Sequence, residues 1–425
     1  MPAALKFLLA ARRCEIHGLE QLALTCELVS GIGQLIHMLQ RERGVSNVYS
    51  ASRGTRFREQ LETRVADSLA AEDAVRSLFD RLDTESGQLS GGARLFSRIA
   101  AVVHGLDDLP VLRQRVLALE LQPEDITGAY TRLVGGLLTV VFEAADSAGD
   151  PDVSRALVAL FNFMQGKELA GQERATAAAG FASGVFDTAR QQRMTYLIEA
   201  QQRCFDVFAE FADAPVVSQW REALPAEDVA ELERLRRMAV SAQPSGAAAT
   251  DRSEHWFDLA TRRIDSLRAV EERLADVLLY LAQQKIVDAR AALDDHAALL
   301  REFADDPQPA DPAAVFFDAF LTPGAAVEPL NPQFGRSVLD LVREQAQRLQ
   351  TMSDELARAR TALHERKVIE RAKGMLMQHR GLTEDQAYRM LRQTAMDRGR
   401  RLAEVAEAVL GFSDFLQDEA SSRRP

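Results

Sequence analysis

The sequence predicts an all-α protein, on three observations. Ala, Leu, Glu, Arg and Gln dominate its 425 residues, β-branched runs are rare, and no segment alternates cleanly at a two-residue period. Breaks fall instead at helix-hairpin intervals: SGQLSGG (86–92), LDDLP (106–110), AGDPD (148–152), ADAP (212–215) and LPAED (224–228). Apolar residues make up 47% of the chain, a globular composition, and the length suits two to three domains.

The chain opens with MPAALKFLLAARRCEIHGLEQ, which reads as a first helix. Its apolar run is too short for a signal peptide, and it lacks a basic leader and a small-residue cleavage site. No window approaches 18 continuous apolar residues, so no membrane span is expected. Cys14, Cys26 and Cys204 are scattered, with no CxxC and no His/Cys cluster at metal spacing. That pattern predicts a reducing, cytoplasmic location and no disulfide framework.

Further along the same helix, Ile32, Leu35, Ile36 and Leu39 recur at three- and four-residue steps. At about 100° per residue the next position on that stripe is Arg43, while Arg41 points to solvent. Gln40 lies one turn back and Asn47 one turn on. A second case occurs in AEDVAELERLRRMAV (226–240), where Val229, Leu232, Leu235 and Ala239 define a stripe. Arg236 falls on it and Arg237 lies to one side. A buried guanidinium is costly unless its charge is met. Two readings are open at this point. Each arginine forms a core ion pair with a glutamate such as Glu168 or Glu173, or both face a cavity holding a small oxyanion that suits the guanidinium fork.

The stretch FNFMQGKELAGQERA (161–175) mixes Gly166 and Gly171 with Lys167, Glu168, Gln172, Glu173 and Arg174. Glycines inside a helix cost stability, so they predict close helix approach. The polar residues are expected to line the same cavity or to cross-link helices at its rim. Asn47, Lys167 and Arg174 are the supporting candidates there.

SAQPSGAAATD (241–251) reads as a flexible insert between helices. The main boundary is ADDPQPADPAAVFFDAFLTPGAAVEPLNP (304–332), with six prolines. It divides a helical domain (1–303) from the C-terminal part of the chain, with a linker over 304–335. Heptads then return over 336–365. Positions a are Val342, Leu349, Leu356 and Leu363; positions d are Val338, Gln345, Met352 and Ala359. This predicts a two-stranded coiled coil and hence a homodimer, the alternative being one helix packed on its own domain's core.

The last module (366–425) parses into three helices. The coiled-coil helix should stop at Gly381, Thr383 and Gln386 form a T-x-x-Q capping box, and the second helix ends near Gly399. The third buries Leu402, Val405, Ala406 and Val409. The whole chain carries a net charge of −12, yet residues 361–401 hold ten Lys/Arg against five Asp/Glu. With the apolar faces used internally, Lys367, Arg371, Lys373, Arg389, Arg392, Arg398 and Arg400 are expected outside, as a phosphate-contacting surface or a merely solvated one. No GxSxG, HExxH, P-loop or GxGxxG is present, so neither an enzyme nor a cofactor is indicated.

The stretch ERKVIERAKGMLMQHRGLTEDQAYRMLRQTAMDRGRRLAEVAEAVL resembles the ANTAR family of RNA-binding antiterminator domains. On QRERGVSN, FMQGKELAGQERA and LERLRRMA, the region up to about 300 resembles the NIT nitrate- and nitrite-sensing domain. Gly399 departs from the less flexible residue expected at that helix junction. The combination is similar to the nitrate/nitrite-responsive transcription antiterminators. This resemblance implies two stacked helical bundles binding nitrate or nitrite between arginines, and a dimeric ANTAR module that binds a leader-mRNA hairpin. The first ligand arginine then falls on Arg43, and the second on Arg236 or Arg237. RNA would meet the seven basic residues named for the C-terminal module, with loop bases met by side chains such as Tyr388 or Met396. The rival is a signalling adaptor or DNA-binding regulator whose C-terminal helices dock a protein or DNA.

Overall fold

The computed structural model describes residues 2–82, 92–241, 249–305 and 332–410, and among them every regular element is a helix. Much of the proline-rich linker, most of the 241–251 insert and most of the SGQLSGG break lie outside the described residues. Among the described residues, ten helices precede the linker: α1 (Pro2–Ala51), α2 (Arg58–Asp80), α3 (Gly92–Asp107), α4 (Leu109–Leu117), α5 (Pro123–Ser147), α6 (Pro151–Ser183), α7 (Thr188–Phe211), α8 (Ala214–Glu222), α9 (Ala226–Val240) and α10 (Ala249–Asp305). Three come after it: α11 (Pro332–Arg380), α12 (Glu384–Arg398) and α13 (402–410).

The breaks read from the sequence at 106–110, 148–152, 212–215 and 224–228 each separate two helices. Local chemistry explains the break at 148–152 and a further one at 184–187. Asp150 caps α6 by accepting from the N–H groups of Asp152 and Val153, with Pro151 in the first turn, and Asp187 caps α7 through the Arg190 N–H. Gly184 ends α6 in the left-handed region at φ 67°.

α1, α2, α3 and α5 form one group of packed helices, and α6, α7, α9 and α10 form a second. α1 also runs against α10 and α6, so the two groups share a continuous core. Ile32, Leu35, Ile36 and Leu39 are fully buried there. By length and average hydropathy Leu9–Ala51 could cross a membrane. A search for unbroken apolar runs misses that window, because polar residues interrupt it. Its apolar stripe is the spine of the helical core. α4 is held by Arg113, whose fork meets the fully buried Glu42 at 2.8 and 3.0 Å, with the Tyr130 hydroxyl adding 2.7 Å.

Gly166 bears out the close approach expected of it. A Cβ there would lie 2.8 Å from the Phe205 ring, so only glycine lets α6 and α7 pack at this distance. At Gly171 a Cβ would sit 3.1 Å from Arg43 Nη2, so its absence makes room for a guanidinium.

The C-terminal module obeys its sequence signals closely. α11 ends at Arg380 with Gly381 at φ 62°, the Thr383/Gln386 capping box is present, and Gly399 ends α12 at φ 58°. Val368, Ala372, Leu391, Ala395, Val405 and Ala406 form its own small core. The heptad region lies in α11, and its last a and d residues, Leu363 and Ala359, are buried against the N-terminal core. At that end the chain itself closes the seam that a second strand would use.

Candidate functional site

Arg43 is 5% exposed, and its fork meets Glu168 of α6 oxygen for nitrogen, at 2.7 and 3.1 Å. Nη1 also donates to the Thr131 hydroxyl at 2.9 Å. Glu168 accepts two further bonds, from Gln40 at 2.8 Å and Gln172 at 2.9 Å. Arg41 is exposed, as the stripe required. Arg236 has the same arrangement with Glu173, at 2.6 and 2.7 Å, and Gln201 donates to that carboxylate at 2.7 Å. Arg237 is exposed and takes no part in the cluster, because it lies off the stripe of α9.

Each arginine therefore has a carboxylate in its fork, as the ion-pair reading expects. Glu168 and Glu173 are five residues apart on α6, about 7.5 Å along the axis and about 140° around it. In this conformation each fork is filled by its own carboxylate.

Further cations lie close by. Arg174 lies close enough to Arg43 to feel its charge, donates to the Thr261 hydroxyl at 3.0 Å, and stacks over Phe257 at 4.9 Å. It forms no ion pair among the described residues. Burial, reinforced by Arg43, lowers its pKa to about 10. Arg263 shares Glu173 and Gln201 with Arg236, and burial together with Arg236 lowers its pKa to about 10 as well. Burial works against the Glu173 carboxylate, but Arg236 and Arg263 hold its pKa below the usual range. Four guanidiniums thus crowd two buried carboxylates, with the more exposed Glu233 on Arg236 at 2.7 Å and Asp265 near enough to act on Arg174, a gathering of forks that suits an oxyanion.

The supporting candidates divide. Arg174 belongs to the cluster. Asn47 sits one turn from Arg43 and donates to Thr127 at 2.8 Å. Lys167 is elsewhere: fully buried, it pairs with Glu271 of α10, and burial lowers its pKa. Arg263 escaped the sequence reading although Ala260, Ile264 and Leu267 flank it on a buried stripe. The test that singled out Arg43 would have found it.

On its other side, α7 grips the C-terminal module. Gln192, Tyr196, Glu199 and Arg203, spaced four, three and four residues, share one face of α7. Glu199 accepts from Arg392 at 2.6 and 2.8 Å, and Gln192 accepts from Arg389 at 2.6 Å. Tyr196 packs edge-on against Tyr388 at 5.5 Å, and Arg203 covers the Tyr388 ring at 4.4 Å. Tyr388 is 4% exposed, so the neighbouring domain is what buries much of it. Arg366 of α11 donates to Asn162 at 2.8 Å and lies over Phe161.

Lys373 departs from the expected solvated face. It is 4% exposed, donating to Glu370 at 2.8 Å and Glu384 at 2.9 Å beside the Tyr196 hydroxyl. Burial disfavours its charge, yet those groups raise its pKa. The expectation counted only the module's own core, whereas α7 covers this position. Arg371, Arg398, Arg400 and Met396 face solvent, and Lys367 is half-buried.

Residues 34–279 match the family model for nitrate and nitrite sensing (NIT), and residues 357–410 match the ANTAR domain. The chain is 37% identical over 409 residues to the nitrate regulatory protein of Klebsiella oxytoca, covering 96% of this chain and 95% of the relative. It is 35% identical over 72 residues to the transcriptional regulatory protein PdtaR of Mycobacterium tuberculosis, covering 17% of this chain and 35% of that one. Among solved structures it is similar to the NasR transcription antiterminator, with a TM-score of 0.58 and 34% identity, covering 97% of this chain and all of that one.

Proposed function

Because the chain belongs to the NIT family of nitrate and nitrite sensors and carries an ANTAR domain, it is a nitrate-responsive antitermination regulator; we propose that its anion is received by Arg43 and Arg236. Nitrate and nitrite present oxygens that accept parallel N–H bonds from a guanidinium, as a carboxylate does. In the present conformation, Glu168 and Glu173 fill those forks and stand in for the anion. Arg174 and Arg263 lie beside the two carboxylates as further cations, so an anion enters without leaving the displaced glutamates unpaired.

One observation carries the coupling to output. The α6–α7 pair holds the arginine cluster on one side and the ANTAR residues Lys373, Tyr388, Arg389 and Arg392 on the other. A sensor gripping these groups keeps them from a leader-mRNA hairpin. Anion binding changes the packing of α6 on α1 and α9 and releases the grip. The freed surface then engages phosphates through its basic residues and a loop base through Tyr388. Release also uncovers Ala359 and Leu363, completing the 336–365 seam for a homodimer. The two families are regulatory, and their RNA output belongs in the cytoplasm.

The test is hairpin-RNA affinity by fluorescence anisotropy, with and without nitrate at matched ionic strength. Nitrate is expected to tighten binding by about tenfold, within the usual range of allosteric coupling. Affinity that ignores nitrate and nitrite, or duplex DNA competing as well as RNA, would overturn the reading.

A further inference from the structure

Between the arginine cluster and the docked ANTAR module runs an unbroken chain of polar side chains. Arg43 Nη1 donates to Glu168 Oε1, the oxygen that also accepts from Gln172 Nε2 at 2.9 Å. The other end of that carboxamide, Gln172 Oε1, accepts from Arg193 Nη2 at 2.7 Å. Arg193 lies over the Tyr196 ring at 5.3 Å, and its Nη1 is 3.8 Å from Glu384 Oε2. The second oxygen of Glu384 accepts from the Tyr196 hydroxyl at 2.7 Å and from Lys373 at 2.9 Å. Four side chains thus connect a guanidinium on α1 with a lysine on α11.

We propose that Gln172 and Arg193 are positioning residues that transmit occupancy of the Arg43 fork to the Glu384–Lys373 clamp. The proposal rests on the nitrate reading and specifies how that signal leaves the site. A carboxamide has a donor end and an acceptor end, so the orientation of Gln172 is fixed by Glu168 and Arg193 together. Glu168 is 2% exposed, and a buried carboxylate that loses its guanidinium must find another cation. Arg174 is close enough for Glu168 to act on its pKa, and it has no ion pair of its own among the described residues. An anion in the Arg43 fork sends Glu168 towards Arg174. Gln172 moves with it through its amide, and Arg193 is drawn with the carbonyl away from Glu384. Tyr196 then loses one of the two cations over its ring, and Glu384 loses one of its two positive neighbours. The docked state is weakened on the sensor side, before any group of the RNA surface has moved.

Gln172 and Arg193 are both partly exposed, so replacing them leaves the apolar core intact. The test compares full-length wild type with Gln172→Leu and Arg193→Gln. Nitrate affinity is measured by calorimetry, and hairpin-RNA affinity by anisotropy with and without nitrate. In the variants nitrate affinity is expected to stay within about threefold of wild type, while the nitrate-induced gain in RNA affinity falls from about tenfold to under about twofold. For Gln172→Leu the RNA affinity stays near the nitrate-free value even when nitrate is bound. A purely structural role would shift RNA affinity equally in both conditions and preserve the gain. A preserved gain overturns the relay, as does loss of nitrate binding, which would make Gln172 part of the anion site. No gain in wild type overturns the nitrate reading and the relay with it.

Discussion

Arg41 and Arg43 stand two residues apart on α1 and have opposite surroundings, water for one and the Glu168 carboxylate for the other. Arg43→Lys keeps the charge but loses the fork, so one Glu168 oxygen is left to Gln40 alone. At 100 times its dissociation constant, nitrate should stabilise the wild-type fold by about 2.7 kcal/mol through linkage. Calorimetry should show Arg43→Lys losing most of that shift and Arg41→Lys keeping it, with chloride ineffective because a sphere cannot take both N–H bonds. Equal nitrate shifts in wild type and Arg43→Lys would make Arg43 structural. The stripe alone separated these two arginines, since helical period determines which faces inward. Glu168 and Glu173 were named from the sequence only as examples of a partner, and they are the carboxylates that Arg43 and Arg236 meet. The stripe could not reveal Thr131 or Gln201, because polar partners far apart in sequence leave no periodic mark.

Among the elements, α12 was legible almost to the residue, since Gly381, Thr383, Gln386 and Gly399 are local signals whose geometry needs no tertiary partner. The docking face of α7 was not. Gln192, Tyr196, Glu199 and Arg203 read as an ordinary polar face, and only the fold supplies Arg389, Tyr388 and Arg392 opposite them. The same blindness placed Lys373 in water. Arg392 and Glu199 form a partly exposed ion pair, an interaction of up to about 1 kcal/mol. Breaking it from either side should give opposite outcomes. Glu199→Lys repels Arg392 and should raise nitrate-free RNA affinity by roughly fivefold. Arg392→Ala removes a phosphate contact and should lower nitrate-bound affinity, with a salt slope flatter by about one. Titrations of both variants at several salt concentrations provide the check, and a fall in affinity for Glu199→Lys would place the RNA surface elsewhere.

At the scale of the whole molecule, the ANTAR module has a core of its own, from Val368 to Ala406, and meets the sensor mainly through polar and aromatic groups. A fragment of residues 332–425 should therefore fold and bind hairpin RNA at least as tightly as the nitrate-bound full chain, with no response to nitrate. Circular dichroism and anisotropy decide this. A folded fragment that fails to bind would mean that the sensor contributes to the RNA site instead of covering it. The docked seam has a consequence for gene dosage. Leu363 and Ala359 are held by their own chain, so an undocked helix either folds back or pairs with a second molecule. Folding back is first order and sees a tethered partner at an effective concentration on the order of millimolar, whereas pairing is second order in protein. The proposed dimer would therefore make operon read-through respond to how many copies the cell holds as well as to nitrate. A cell with few copies would remain silent at anion levels that switch on one with many.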